Sequence, residues 1–91
     1  MQIEEILQEI IRICKNNSVT KVILFGSRAK GTALERSDID IAVCGTKDIE
    51  KLREELEDIP TLYTIDVVDM DECRNELLLE DIKQYGRKIY E

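Results

Sequence analysis

The sequence has no histidine, no tryptophan and one proline, and its aromatic residues are three tyrosines and one phenylalanine. Without an imidazole there is no Ser-His-Asp triad, no Cys-His dyad, no His-liganded zinc and no histidine proton shuttle. So few aromatics exclude a surface that works by stacking nucleic-acid bases. The three cysteines, Cys14, Cys44 and Cys73, are odd in number, far apart and free of any CxxC spacing. They encode neither a disulfide framework nor a thiolate metal site, and each reads as a small buried or half-buried residue. No apolar run approaches the roughly 18 residues of a membrane span. No basic-then-apolar opening resembles a secretory leader. The expectation is a cytoplasmic protein with no membrane partner.

What is present fits one domain, 1–91. A chain of this length buries only roughly 60–65% of its unfolded surface, so its core is modest. Acidic residues outnumber basic ones, 20 to 13, for a net charge of −7. That balance speaks against direct nucleic-acid binding, which runs on Lys/Arg–phosphate contacts. It suits divalent cations or a basic partner protein. The excess is uneven. Between Val19 and Ser37 stand Lys21, Arg28, Lys30 and Arg36 against Glu35 alone, so a short basic segment sits in an otherwise acidic chain.

Ile3, Ile6, Leu7, Ile10 and Cys14 recur at helical spacing and predict an amphipathic helix over 2–17. Val19 to Phe25 is apolar and β-branched, a strand that Gly26 stops. Residues 27–34 read as a single helical turn and a loop around Gly31. A second strand runs from Asp38 to Cys44, with Ile39, Ile41 and Val43 on one face. Thr46 opens a helix whose buried stripe is Ile49, Leu52, Leu56 and Ile59, and Pro60 ends it. Leu62 to Val68 is a third strand. Asp69 and Glu72 form a capping box for a last helix to Tyr85, its stripe being Leu78, Ile82, Tyr85 and Ile89, with Gly86 as breaker. A dozen residues join the first two strands, which should be antiparallel. A helix joins the second and third, which should be parallel. The fold class expected is mixed α/β, a sheet of three or slightly more strands with helices packed against it.

The chemistry lies between Gly26 and Asp40. Aspartate is a poor strand former, yet Asp38 and Asp40 open an apolar strand. At spacing i, i+2 they project from one face. Their repulsion favours protonation unless a cation intervenes, and Mg²⁺ prefers carboxylate oxygens together with substrate phosphates. Asp66 is alone among β-branched residues in the third strand. If the two strands are parallel neighbours it faces the pair, and three carboxylates suit a two-metal displacement at phosphorus. Gly26 and Ser27 follow a strand, where exposed N–H groups can donate to a phosphate. Arg28 and Lys30 beside such a loop are candidate triphosphate contacts. A Walker A loop fails, because Thr32 stands where its lysine is needed.

The Gly-Ser pair, ten residues and the Asp-x-Asp, with a later strand aspartate, resemble the polymerase-β-type nucleotidyltransferase superfamily. The small size and the wording GSRAKG…SDIDIAV are similar to its minimal nucleotidyltransferases of the MntA-like antitoxin group. The resemblance implies that Gly26 and Ser27 hold a nucleoside triphosphate, ATP. It implies that Asp38 and Asp40 bind two Mg²⁺ ions, and that Asp66 completes the site and helps deprotonate an acceptor hydroxyl. It further implies a toxin partner of the HEPN type, an RNase neutralised when AMP is moved from ATP onto one of its tyrosines. Attack is in line at the α-phosphorus and diphosphate leaves. A non-enzymatic antitoxin that acts by contact is the alternative, as is a small-molecule nucleotidyltransferase. A homodimer and a hetero-oligomer with the toxin both stay open.

Overall fold

The computed structural model describes residues 2–26 and 38–91. Helix α1 (Ile3–Asn16) leads to β1 (Lys21–Phe25). Strand β2 (Ile39–Cys44) precedes α2 (Ile49–Glu57) and β3 (Ile65–Asp69). Helix α3 (Glu76–Tyr85) then turns directly into β4 (Arg87–Tyr90). Among the described residues the strands form one sheet in the order β3-β2-β1-β4. β1 runs antiparallel to β2, with Leu24 opposite Ile41 and Phe25 opposite Asp40. β2 runs parallel to β3, with Asp40 opposite Asp66 and Ile41 opposite Val67. Both strand directions are as the connection lengths require, and the sheet is of the mixed kind expected.

Period-two alternation divides the sheet into two faces. Ile39, Ile41 and Val43 of β2 and Val22 and Leu24 of β1 meet the α1 stripe, Ile6, Ile10 and Cys14, and the α2 residues Leu52 and Leu56. This is the larger core. The opposite face is smaller: Phe25, Ala42 and Ile82 are buried, with Val68, Met70 and Leu78 against them. Ile82 is the one buried residue of α3. Cys14 is buried and Cys44 and Cys73 half-buried, all as free thiols. Burial pushes the Cys14 thiol up to about 12, so it stays protonated and acts as a small apolar side chain. Among the described residues no helix is long and apolar enough to cross a membrane.

Several element ends differ from the sequence expectations. β3 starts at Ile65, and Leu62, expected within that strand, is 99% exposed in the loop that follows Pro60. Asp69 ends β3 and caps no helix. Its carboxylate accepts the Asp71 N–H at 3.0 Å, and the Asp71 carboxylate accepts the Gly45 N–H at 2.7 Å. Two aspartates that resemble a helix start instead tie the loop after β3 to the end of β2. The cap of α3 is Asn75, which accepts the Leu78 N–H at 3.1 Å. The cap of α2 is Asp48, which accepts the Lys51 N–H at 3.1 Å, and not Thr46. Any short polar side chain near a helix start competes for this role, so position relative to the first turn decides it. The short turn and loop expected at 27–34 lie outside the described residues.

The largest departure is β4. Ile89, expected on the stripe of the last helix, lies in a strand that pairs antiparallel with β1 and packs against the larger core. Four residues carry too weak a local pattern to announce a strand, and pairing with β1 supplies what propensity does not. Gly86 makes the junction possible. A Cβ there would run into the Ile82 carbonyl and lie 2.6 Å from the Ile23 side chain. Gly86→Ala is therefore expected to lower stability by about 1–3 kcal/mol through overpacking. A urea denaturation series checks this, and an unchanged midpoint would mean that the junction tolerates a methyl group.

Candidate active site

The parallel pairing of β2 with β3 brings the site together. Ile39 and Ile41 are buried on the α1–α2 face, so Asp40 between them must project from the other. Ile65 and Val67 bracket Asp66 on β3 in the same way. Because Asp40 and Asp66 are register partners, their carboxylates stand side by side on neighbouring strands, about 4.8 Å apart at the backbone. Asp40 is half-buried and Asp66 exposed. Asp38 lies one residue before β2, exposed.

The electrostatics follow from this placement. The Asp40 carboxyl is raised above its ordinary value, first by burial, then by the charges of Asp66 and Asp38, and by a hydrogen bond with Asp66. Each cause disfavours an isolated anion, so the pair stores repulsion that a cation would relieve. Gly26 closes the other side. It follows β1 with φ of +73°, a conformation suited to glycine, and a Cβ there would run into the Asp40 Oδ2. The antiparallel register, with Phe25 opposite Asp40, is what brings Gly26 there. Inspection of strand ends alone assigns Gly26 to a phosphate turn and misses this contact with a carboxylate.

Of the residues singled out in the sequence, the structure thus gathers Asp40, Asp66 and Gly26. Asp38 acts on Asp40 through charge from the rim. Ser27, Arg28 and Lys30 lie outside the described residues. As donors, clustered carboxylate oxygens fit a hard divalent cation such as Mg²⁺. Among the described residues no group of three or more acidic or cysteine side chains is close enough to hold a metal ion. The fit is that of a carboxylate pair, Asp40 and Asp66, and not of the three converging carboxylates expected.

The chain as a whole has counterparts among known proteins. The polymerase β nucleotidyltransferase family model matches residues 8–91. The chain belongs to that family. It is 32% identical over 90 residues to "Putative protein adenylyltransferase MJ1305" of Methanocaldococcus jannaschii, a match that covers 96% of this chain. The chain spans about half, 51%, of the length of that curated relative. Among solved structures it is similar to a toxin–antitoxin crystallised with AMP-PNP, with a TM-score of 0.69 and 26% identity. That match covers 91% of this chain and 71% of the other. A crystal structure of the toxin–antitoxin MntA-HpeT gives a TM-score of 0.67 and 26% identity, over 92% of this chain and 71% of the other. The nucleotidyltransferase fold and the likeness to MntA-type antitoxins, both read from the motif, are met by these matches.

The crowding at Asp40 has a consequence for stability. Its raised value means that the folded state holds this proton more tightly than the unfolded chain does. The cost of ionising Asp40 in the fold is absent below its ordinary value of 3.8, where both states are protonated. It grows as pH rises from there through the folded-state value. Asp40→Asn removes the charge, so without divalent cations the variant is expected to melt higher than wild type at pH 7, and the gap should close below about pH 3.8. Thermal melts in EDTA across this range check it. A variant less stable at neutral pH would show that the carboxylate makes contacts worth more than its repulsion.

Proposed function

We propose that this chain is a Mg²⁺-dependent protein adenylyltransferase that acts as an antitoxin. It moves AMP from ATP onto a tyrosine hydroxyl of a cognate HEPN-type RNase toxin and so neutralises it, in the cytoplasm. The observation that carries this reading is the Asp40–Asp66 pair seated against Gly26 in a chain of the nucleotidyltransferase family. The structural relatives, a toxin–antitoxin and one crystallised with AMP-PNP, support a toxin as partner and an adenine nucleotide as substrate.

In the proposed reaction Gly26 and Ser27 bind the triphosphate through backbone N–H groups and the serine hydroxyl, with Arg28 and Lys30 as cationic contacts. Asp40 and Asp66 would hold the metal, with Asp38 adding its charge from the rim, and Mg²⁺, when bound, supplies charge neutralisation for the triphosphate and the departing diphosphate. Asp66, more exposed than Asp40, would accept the proton of the acceptor hydroxyl. The acceptor oxygen bonds to the α-phosphorus as the bond from that phosphorus to the diphosphate oxygen breaks. The acidic surface suits a partner that must itself be basic to cut RNA.

Two measurements test the proposal. Purified chain mixed with its toxin, ATP and Mg²⁺ should add AMP to the toxin, read by intact-mass spectrometry, and abolish its RNase activity. Asp38→Asn should do neither. If Asp38→Asn neutralises the toxin as well as wild type does, with no mass change in either mixture, neutralisation is by contact alone. Ser27→Ala should weaken transfer by roughly 1.5–3 kcal/mol, the range for a hydrogen bond to a charged group, with little change in melting temperature. A Ser27→Ala protein that unfolds, yet whose folded fraction keeps full activity, would make Ser27 a turn residue.

A further inference from the structure

Building on the reaction proposed above, we infer that the outer edge of β3 docks an extended basic segment of the partner protein as an added strand, which sets its acceptor hydroxyl beside Asp66. Among the described residues β3 is an outer strand and pairs with β2 alone. The Ile39 N–H donates to the Thr64 carbonyl at 2.9 Å, and the Met70 N–H donates to the Val43 carbonyl at 2.9 Å. Between these two bonds the backbone alternates, so Ile65, Val67 and Asp69 turn their N–H and C=O groups away from β2. The Val67 carbonyl shows this directly, since it faces the Arg53 Nη2 at 3.4 Å. A guanidinium over an edge strand is a common guard against unwanted pairing. Arg53 keeps a second partner, Glu50 at 3.1 Å, when that carbonyl is taken.

A channel runs along the same edge. Hollows of about 240 and 290 Å³ adjoin at Leu56, Glu57, Ile65 and Asp66, between α2 and β3. A third, of about 380 Å³, continues past Val67 to Glu72. Leu56, Ile65 and Val67 line its floor, and among the described residues its rim carries Glu57, Asp66, Asp69 and Glu72 against the cation Arg53. That charge selects a basic occupant. Register selects where its side chains go. On an added strand the residue opposite Asp66 projects from the same face as Asp66 and Asp40, with its Cβ about 4.5–5.5 Å from that of Asp66. Its two neighbours fall toward α2. Strand addition of this kind takes affinity from the backbone and specificity from alternate side chains. A chain with a metal-and-nucleotide half-site then recognises its acceptor with the strand that carries one of its own carboxylates.

The probe is a synthetic Val-Lys-Tyr-Lys-Val peptide, whose lysines fall toward the acidic rim on the α2 side, with a Val-Glu-Tyr-Glu-Val control. Hydrogen–deuterium exchange should show the Ile65 and Val67 amides slowed about tenfold by the basic peptide, with Asp66 and Val68, which face β2, unchanged. With ATP and Mg²⁺ the basic peptide should gain AMP about tenfold faster than the control. Ile65→Pro removes an outward N–H and keeps the bonds to β2. It should slow transfer to the peptide about five- to tenfold, the value of one backbone hydrogen bond, and leave ATP binding as in wild type. If Ile65→Pro does not fold, a Glu57→Lys, Glu72→Lys double variant should lose the preference for the basic peptide. The inference is overturned if the amides gain no protection, if both peptides react equally, or if a folded Ile65→Pro transfers as wild type does. It is also overturned if protection rises with protein concentration alone, since a second copy then occupies the edge. Amide protection without AMP transfer to any peptide supports the docking edge and counts against adenylylation.

Discussion

Asp40 beside Asp66 is the contact around which the molecule is arranged. Two carboxylates on adjacent strands cost stability, and Asp40 also loses solvation through burial. The fold tolerates this because each aspartate sits between residues that bury on the opposite face. Ile39 and Ile41 flank Asp40 and are fully buried, and Ile65 and Val67 flank Asp66. The larger core thus fixes the register, and the register in turn places the charges. A slip of one residue would put Asp40 into the α1–α2 core and expose the isoleucines, an alternative the hydrophobic pattern forbids.

The two faces of the sheet divide the work. The α1–α2 face carries most of the buried apolar surface and anchors the strands. The α3 face buries Phe25, Ala42 and Ile82, and Asp40 and Asp66 stand on that same side. This light coverage among the described residues suits the proposed reaction, since a site for a triphosphate and an acceptor needs open space over the sheet. Gly26 serves the same economy. With no side chain it lets the end of β1 approach the Asp40 carboxylate, so the start of the proposed nucleotide loop and a proposed metal ligand are neighbours by backbone geometry.

The charge distribution extends this logic to the partner. The basic residues Arg28, Lys30 and Arg36 cluster in the segment that follows Gly26, where a polyphosphate is proposed to lie. The acidic residues include the rim of the β3 channel. In the proposed reaction these are separate recognition tasks, one for an anion and one for a basic polypeptide. Opposite signs in separate segments of the chain would keep the two proposed substrates from competing.

Local pattern was sufficient for much of this protein. Apolar spacing marked α1, β1, β2 and α2, connection lengths set the antiparallel and parallel pairings, and the spacing of Gly26, Asp38, Asp40 and Asp66 announced phosphorus chemistry. These signals are legible because each depends on periodicity or on residues close in the chain. What the local pattern misjudged was decided by contacts distant in sequence. Asp69 and Glu72 look like a capping box, yet Asp69 serves a turn with Asp71, because the Gly45 N–H lies within reach of Asp71. Ile89 looks helical but belongs to β4, because β1 offers an unpaired edge and Gly86 permits the sharp turn into it. The contact of Gly26 with Asp40 is invisible in the sequence, since it exists only once β1 and β2 are in register. Residue types and their spacing named the chemistry. Strand pairing decided which carboxylates meet, because register is a property of two segments and no single stretch of sequence contains it.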